Sequence, residues 1–204
     1  TILLIGEGNF SFAHSLAKRL GSAQNITATA FDTRPIALEK YHDAQIHLDA
    51  LQEMGGEVLF GVDGTALDKV EELKGRSFSH IVFNFPHAGA GIKDQTKNIL
   101  TNQVLMMGFF ESSVSFLHKG TAVAVAVKPG QIHVALKSGP PYSHWNIRQL
   151  AKDSGLMSRG SVVFDFSAFP GYEHRRTLGF KEGVSKDENR EIKDKDPLIH
   201  MFVV

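Results

Sequence analysis

Gly6-Glu7-Gly8 separates an uninterrupted apolar run at residues 1–5 from a stretch at 11–20 in which Phe12, Leu16 and Leu20 recur every four residues. Two glycines there let the backbone turn tightly and approach a ligand without a Cβ in the way. A helix opening just beyond Asn9, Phe10 and Ser11 offers free N–H groups, which suit a phosphate or carboxylate. Asp32, with Thr33 beside it, follows the β-branched run at 26–31, and Asp63, with Gly64, follows the run at 57–62. An acid at a strand end about twenty residues past a glycine turn is where dinucleotide- and adenosyl-binding folds accept ribose hydroxyls. The competing reading makes each aspartate a solvated turn that caps the next helix.

The elements that must position these groups follow from periodicity. Strands are expected at residues 1–5, 26–31, 57–62, 79–85, 121–127, 161–166 and 198–204, and helices at 11–20, 37–54, 98–117 and 144–155, with a short one after Asp63. Five strands alternating with helices demand a doubly wound α/β sheet, and a last pair joined without a helix is best satisfied as a hairpin. Gly6, Asp32, Asp63, Asn84 and Lys128 then all fall at carboxyl ends of strands, where such sheets bind ligands.

A chain of 204 residues that is 42% hydrophobic can bury one core, so a single domain over 1–204 is expected, with a charged excursion near 183–197. Its 22 basic and 22 acidic residues cancel, so a nucleic-acid surface has to be local. The absence of cysteine excludes disulfides, thiolate metal sites and a cysteine nucleophile. No histidine pair has metal-ligand spacing, so no metal is expected, and no apolar run is long enough to span a bilayer. Opening inside a strand, the chain reads as a trimmed domain. Gly6-x-Gly8-x-x-Ser11 is one residue short of a dinucleotide fingerprint, which keeps an NAD-dependent oxidoreductase open. A closing antiparallel hairpin counts against it.

Four stretches in order, 3–13 (LLIGEGNFSFA), 83–89 (FNFPHAG), 141–145 (PYSHW) and 169–177 (FPGYEHRRT), resemble the BMT5-like Rossmann domain, whose members include a fungal large-subunit rRNA uridine-N3 methyltransferase. The resemblance covers essentially the whole chain. It implies a seven-stranded class I methyltransferase sheet, mostly parallel with an antiparallel C-terminal strand, S-adenosylmethionine as cofactor, ribosomal RNA as partner, and an intracellular, nucleolar location. On this reading Gly6, Glu7, Gly8, Asn9, Phe10 and Ser11 border the methionine part of the cofactor. Asp32 and Thr33 take the ribose, Asp63 and Gly64 the adenine, and Asn84 and Phe85 the reacting end.

Asn84-Phe85-Pro86-His87 falls where amino-methylating enzymes carry Asn/Asp-Pro-Pro-aromatic. Asn84 and His87 are the expected catalytic residues, His87 as a base for an imide nitrogen such as uracil N3. A base lifted from its stack needs aromatic and cationic planes. Pro86, Lys128, Tyr142, Tyr172, His174, Arg175 and Arg176 are expected to supply them. A retained fold that binds RNA or protein without catalysis is the remaining alternative.

Overall fold

The structure, a computed structural model, describes residues 1–89, 91–120, 128–177, 192 and 195–204. Strands β1 (Ile2–Ile5), β2 (Ile26–Ala30), β3 (Glu57–Phe60), β4 (His80–Asn84), β5 (Gln131–Leu136), β6 (Met157–Val163) and β7 (Leu198–Val203) form one seven-stranded sheet. Their order is β3-β2-β1-β4-β5-β7-β6. The first five pair in parallel, whereas β7 lies antiparallel between β5 and β6, as the hairpin argument expects. Strand order reverses between β1 and β4, so a crevice opens beyond their carboxyl ends at Ile5 and Asn84.

Both faces of this sheet are covered, which is why its central strands are apolar without alternation. On one face Leu3, Ile5, Ile81, Ile132 and Val134 pack against Met106, Phe109 and Phe110 of α4 (Gln95–Val114), with Trp145 wholly buried among them. On the other, Leu4, Ala28 and Ala30 meet Phe12, Ala13 and Ala17 of α1 (Ser11–Leu20) and Leu48 and Leu51 of α3 (Ala44–Glu53). The small side chains of β2 let these helices approach closely. Helix α1 stops at Gly21, whose φ of 75° favours glycine and whose N–H bonds the carbonyl of Lys18. Asp94 opens α4 by accepting the N–H of Lys97 at 2.7 Å.

Three elements differ from expectation. The helix expected at 37–54 breaks into α2 (Arg34–Lys40) and α3, with Tyr41 extended at the break, and this turns Tyr41 and Asp43 toward the crevice. After Asp63 the chain forms only two 3-10 turns, because the Asp63 carboxylate closes a local turn on Thr65. Strand β6 begins at Met157, ahead of the expected 161–166. The strand expected at 121–127 lies outside the described residues, as does the excursion at 183–197 apart from residues 192 and 195–197. The place beside β4 is taken by Gln131–Leu136. Pro129-Gly130 therefore leads into a strand, and Lys128 sits at its amino end. Helix α5 (Ile147–Asp153) follows a 3-10 turn at Tyr142–Trp145.

Candidate functional site

A cavity of about 470 Å³ occupies the crevice beyond β1, β2, β3 and β4. Gly6, Glu7, Gly8 and Asn9 form one wall, Asp32 and Asp63 with Gly64 another, and Asn84 to His87 a third. Gly6 has φ 66°, and a Cβ there would lie 2.7 Å from the Phe83 ring. At Gly8 a Cβ would meet the Tyr41 ring at 3.3 Å. Both glycines thus keep the loop thin between packed aromatics and the cavity.

Glu7 is surrounded by protein except where it meets the cavity. Its backbone N–H bonds Thr29 O at 2.8 Å, and its Oε2 accepts the N–H of Ala13 at 3.2 Å. Burial raises its pKa from 4.5 to about 7, only partly offset by the Ala13 hydrogen bond. Asn9 Oδ1 accepts the N–H of Ser11 at 3.2 Å and its hydroxyl at 2.8 Å. Two first-turn N–H groups of α1 are therefore satisfied from within, one by an acid. A pyrophosphate would find two of these donors already taken and an acid beside them. A cationic amine does find a compatible charge.

Asp32 receives Lys40 Nζ on both carboxylate oxygens at 2.8 Å. It remains an acceptor for hydroxyls while adding no net negative charge. Asp63 borders the cavity and accepts from Thr65 N and Oγ1 at 2.8 and 2.7 Å, so its turn-forming role is present in the same residue. Phe31, which the sequence reading passed over, is 68% exposed on the cavity edge. An aromatic left this bare beside two acids suits the face of a planar ring.

Residues 172–177 close the cavity as a strap. Glu173 exchanges hydrogen bonds with Ser11 Oγ at 3.0 and 3.1 Å, Tyr41 donates its hydroxyl to Arg176 O at 3.2 Å, and Lys40 Nζ reaches Thr177 O at 3.5 Å. Arg175 bonds Asp43 at 2.6 Å and Glu173 at 2.8 Å, with only 9% of its side chain exposed. Burial by itself raises the Asp43 carboxyl, but hydrogen bonds from Arg175 and Asn9 outweigh it and hold the pKa below the usual value.

Three expected substrate contacts, Tyr172, His174 and Arg175, border the first cavity from this strap, each with partners of its own. Arg175 is a strut with its charge spent on two acids. Tyr172 is buried among Phe12, Phe164 and Phe166, and its hydroxyl meets His174 Nδ1 at 3.1 Å. His174, enclosed against Phe85 and near the Lys137 charge, has its pKa driven down to about 3 and stays neutral. Phe10 and Ser11 are core and strap supports that do not line the cavity, and Thr33 is exposed at the start of α2. Lys128 lies at the opposite end of the sheet, beside Gly130 where it bonds His118.

A second cavity of about 340 Å³ adjoins the first and shares Phe85, Pro86, His87, Gly89, His174 and Thr177 with it. Tyr142 and Arg176 line it as expected, and Lys137, at the carboxyl end of β5, stands where Lys128 was anticipated. Lys137 Nζ lies 5.4 Å from the centre of the Tyr142 ring. Phe85, between the cavities, has φ 50°, a conformation costing a bulky residue about 1–3 kcal/mol. Asn102 of α4, 1% exposed, holds the following loop by accepting the N–H of Ala88 at 2.9 Å. His87 Nδ1 accepts the N–H of Gly89 at 2.9 Å. Burial, then the Lys137 charge, lowers the His87 pKa, so the ring is neutral near pH 7. Among the described residues no group of three or more His, Asp or Glu is arranged to hold a metal ion.

A mostly parallel seven-stranded sheet with β7 inserted antiparallel, and a crevice at its switch point, defines the class I methyltransferase fold. Among solved structures it aligns with the glycopeptide N-methyltransferase MtfA, described in complex with sinefungin, over 100% of this chain and 79% of that one, at a TM-score of 0.53 and 12% identity. Residues 3–176 match the BMT5-like family, described as rRNA (uridine-N3-)-methyltransferase BTM5-like, and the chain belongs to that family.

The 25S rRNA (uridine(2634)-N(3))-methyltransferase of Saccharomyces cerevisiae is 29% identical, with 99% of this chain and 72% of that protein aligned. Heavy metal-associated isoprenylated plant protein 41 of Arabidopsis thaliana is 38% identical over 87% of this chain, which spans only 33% of the plant protein's length. No described helix is long and apolar enough to cross a membrane.

Proposed function

We propose that this chain is an S-adenosylmethionine-dependent RNA methyltransferase that modifies N3 of a uridine in large-subunit ribosomal RNA, which would put its work in the nucleolus. The observation that carries the cofactor reading is Glu7. A half-buried carboxyl faces the first cavity, and two N–H groups of the helix start behind it already have side-chain acceptors. That combination fits a ligand with an ammonium group and disfavours the dinucleotide alternative. Family membership and the second cavity support the substrate reading.

Bound in the first cavity, S-adenosylmethionine supplies an activated methyl group. Glu7 would meet its ammonium, Asp32 its ribose hydroxyls, and Asp63 with the Gly64 backbone the adenine edge beside Phe31. Asn84, Phe85 and Pro86 border both the methyl donor's cavity and the base's. Their task is alignment, since attack on a sulfonium disperses charge and needs little further electrostatic help.

Incubation with labelled cofactor and large-subunit RNA, followed by nucleoside mass spectrometry, tests this. The expected product is 3-methyluridine. Cofactor binding without transfer to any RNA would instead indicate a non-catalytic module.

The Glu7 carboxyl also gives the cofactor affinity a pH dependence. Its charged form is disfavoured by burial, so the acid destabilises the fold increasingly as pH rises from 4.5 through about 7. An arriving ammonium needs that charged form and must expel the proton. Affinity should therefore climb with pH by up to about tenfold per unit below pH 7 and level off above it. Glu7→Gln should bind more weakly, show a flat profile, and be more stable at pH 8 than the parent. Calorimetric titrations at pH 6, 7 and 8 provide the check, and a sloping profile in Glu7→Gln would assign the proton elsewhere.

A further inference from the structure

Helix α4 borders the second cavity at Asn98, and two of its asparagines form a relay from the loop that follows β4. The buried Asn102 accepts the N–H of Ala88 through Oδ1 at 2.9 Å. That contact settles which end of its amide is which, so Nδ2 points the other way and donates to Asn98, to the backbone carbonyl at 2.9 Å and to the side-chain Oδ1 at 3.1 Å. The Asn98 amide is oriented in turn. Its Oδ1 is held by Asn102 and its backbone N–H by Asp94 O at 2.9 Å, so the polar group it keeps for the cavity is Nδ2, a donor. The next residue of the same loop orients a second donor. Gly89 N–H donates to His87 Nδ1 at 2.9 Å, and a neutral histidine whose Nδ1 is an acceptor carries its proton on Nε2. Consecutive backbone N–H groups, at Ala88 and Gly89, thus hold two neutral side chains with their donors left for one cavity.

We propose that Asn98 is a specificity-determining residue: its Nδ2 and the His87 Nε2–H donate to the two carbonyl oxygens that flank N3 of a uracil ring, with N3 between them facing the methyl donor. The proposal rests on the uridine reading above. His87, which borders both cavities, then positions the base through its N–H, while its lone pair stays on Gly89. Cytosine carries an amino group in place of one of those oxygens and would set donor against donor. A site built on such donors rejects that ring because its own N–H groups are left without partners. Neither contact uses a charged group. Selection is therefore independent of the ionic groups around the cavity and insensitive to salt.

The test reads binding and needs no turnover. Uridine 5′-monophosphate, its 2-thio and 4-thio analogues and cytidine 5′-monophosphate are titrated calorimetrically into the protein with S-adenosylhomocysteine present. Sulfur accepts a hydrogen bond more weakly than oxygen, so each thio substitution should weaken binding to the parent by about threefold to tenfold. Cytidine monophosphate should bind about tenfold more weakly than uridine monophosphate, and these ratios should hold at low and high salt. Asn98→Leu should become indifferent to one of the two sulfur substitutions while keeping its response to the other.

Asn102 is a positioning residue on this view. Asn102→Ala leaves the Asn98 amide free to turn and should blunt the same sulfur response that Asn98→Leu removes. Each readout is a ratio of affinities within one variant, so a general loss of stability does not imitate it. If Asn98→Leu responds to both sulfur substitutions as the parent does, the role of Asn98 fails while 3-methyluridine formation still supports the methyltransferase reading. A parent that binds the uridine and cytidine nucleotides equally, or binds neither, overturns the proposal as well. Transfer to adenosine or cytidine in place of uridine overturns both it and the uridine reading.

Discussion

Gly6→Val should weaken cofactor binding severely while leaving a protein that still folds. Its φ of 66° is strained for any β-branched residue, and its Cβ would lie 2.7 Å from Phe83 Cε2. That ring is packed edge-on against Phe109 with 5.1 Å between centroids, so it cannot swing aside cheaply. The combined strain and overpacking should cost about 2–4 kcal/mol of stability. Loop displacement into the cavity should weaken cofactor binding on the order of a hundredfold or more, about 3 kcal/mol. Gly155→Ala is the control. It has φ 81° with nothing within 4 Å of the added carbon, so it should lose about 1 kcal/mol and no affinity. Denaturant melts paired with calorimetry separate the two effects, and near-parental affinity in Gly6→Val would refute the close approach of loop and ligand.

Arg175→Ala should be the most damaging change outside the cavity loops. The guanidinium sits between Asp43 and Glu173 with 9% of its side chain exposed, against 17% for Asp43 and 46% for Glu173. Removing one partner of a buried pair leaves a desolvated charge, typically a loss of about 3–5 kcal/mol. Here the loss also frees the strap, so both cavities lose the wall they share through His174 and Thr177.

Cofactor affinity should drop with stability, and Asp43→Asn added to Arg175→Ala should recover part of the stability because the orphaned charge is gone. Arg175→Lys should recover part of the loss, since a single nitrogen, Nη2, meets both carboxylates, at 2.6 and 2.8 Å. The depressed Asp43 pKa sets the sign of the pH effect. Stability from the pair is present above the ordinary aspartate range and is lost as pH falls through the folded value. A double mutant no more stable than Arg175→Ala would mean Asp43 carries no buried charge.

The parallel core and its antiparallel ending were legible from periodicity, because strands buried on both faces cannot hide their apolar runs. The glycine turn and the acids at Asp32 and Asp63 were legible for a related reason: a ligand crevice forms wherever such strands end. The fifth strand was not. Gln131–Leu136 mixes Gln131 and His133 with its apolar residues, so period does not mark it as a strand; its pairing with β4 and β7 does. That pairing moves the cavity's lysine from 128 to 137. The broken helix at Tyr41 was hidden too, since Ala37, Tyr41 and Ala44 keep helical spacing through the break.

By itself, then, the sequence determined the sheet, its switch point and the chemistry of the Gly6-Glu7-Gly8 turn, all of which depend on short-range pattern. Tertiary structure decided what the charged groups do. Residue type alone cannot distinguish a cation facing solvent from one paired with an acid, as Arg175 is with Asp43, 132 positions away in sequence. Glu7 acquires its pKa of about 7 only when the fold removes water around it. His87 becomes a donor only because the chain folds back to place Gly89 N–H on its Nδ1. Protonation and hydrogen-bond direction are set by what surrounds a group in space, and most of those neighbours are far away along the chain.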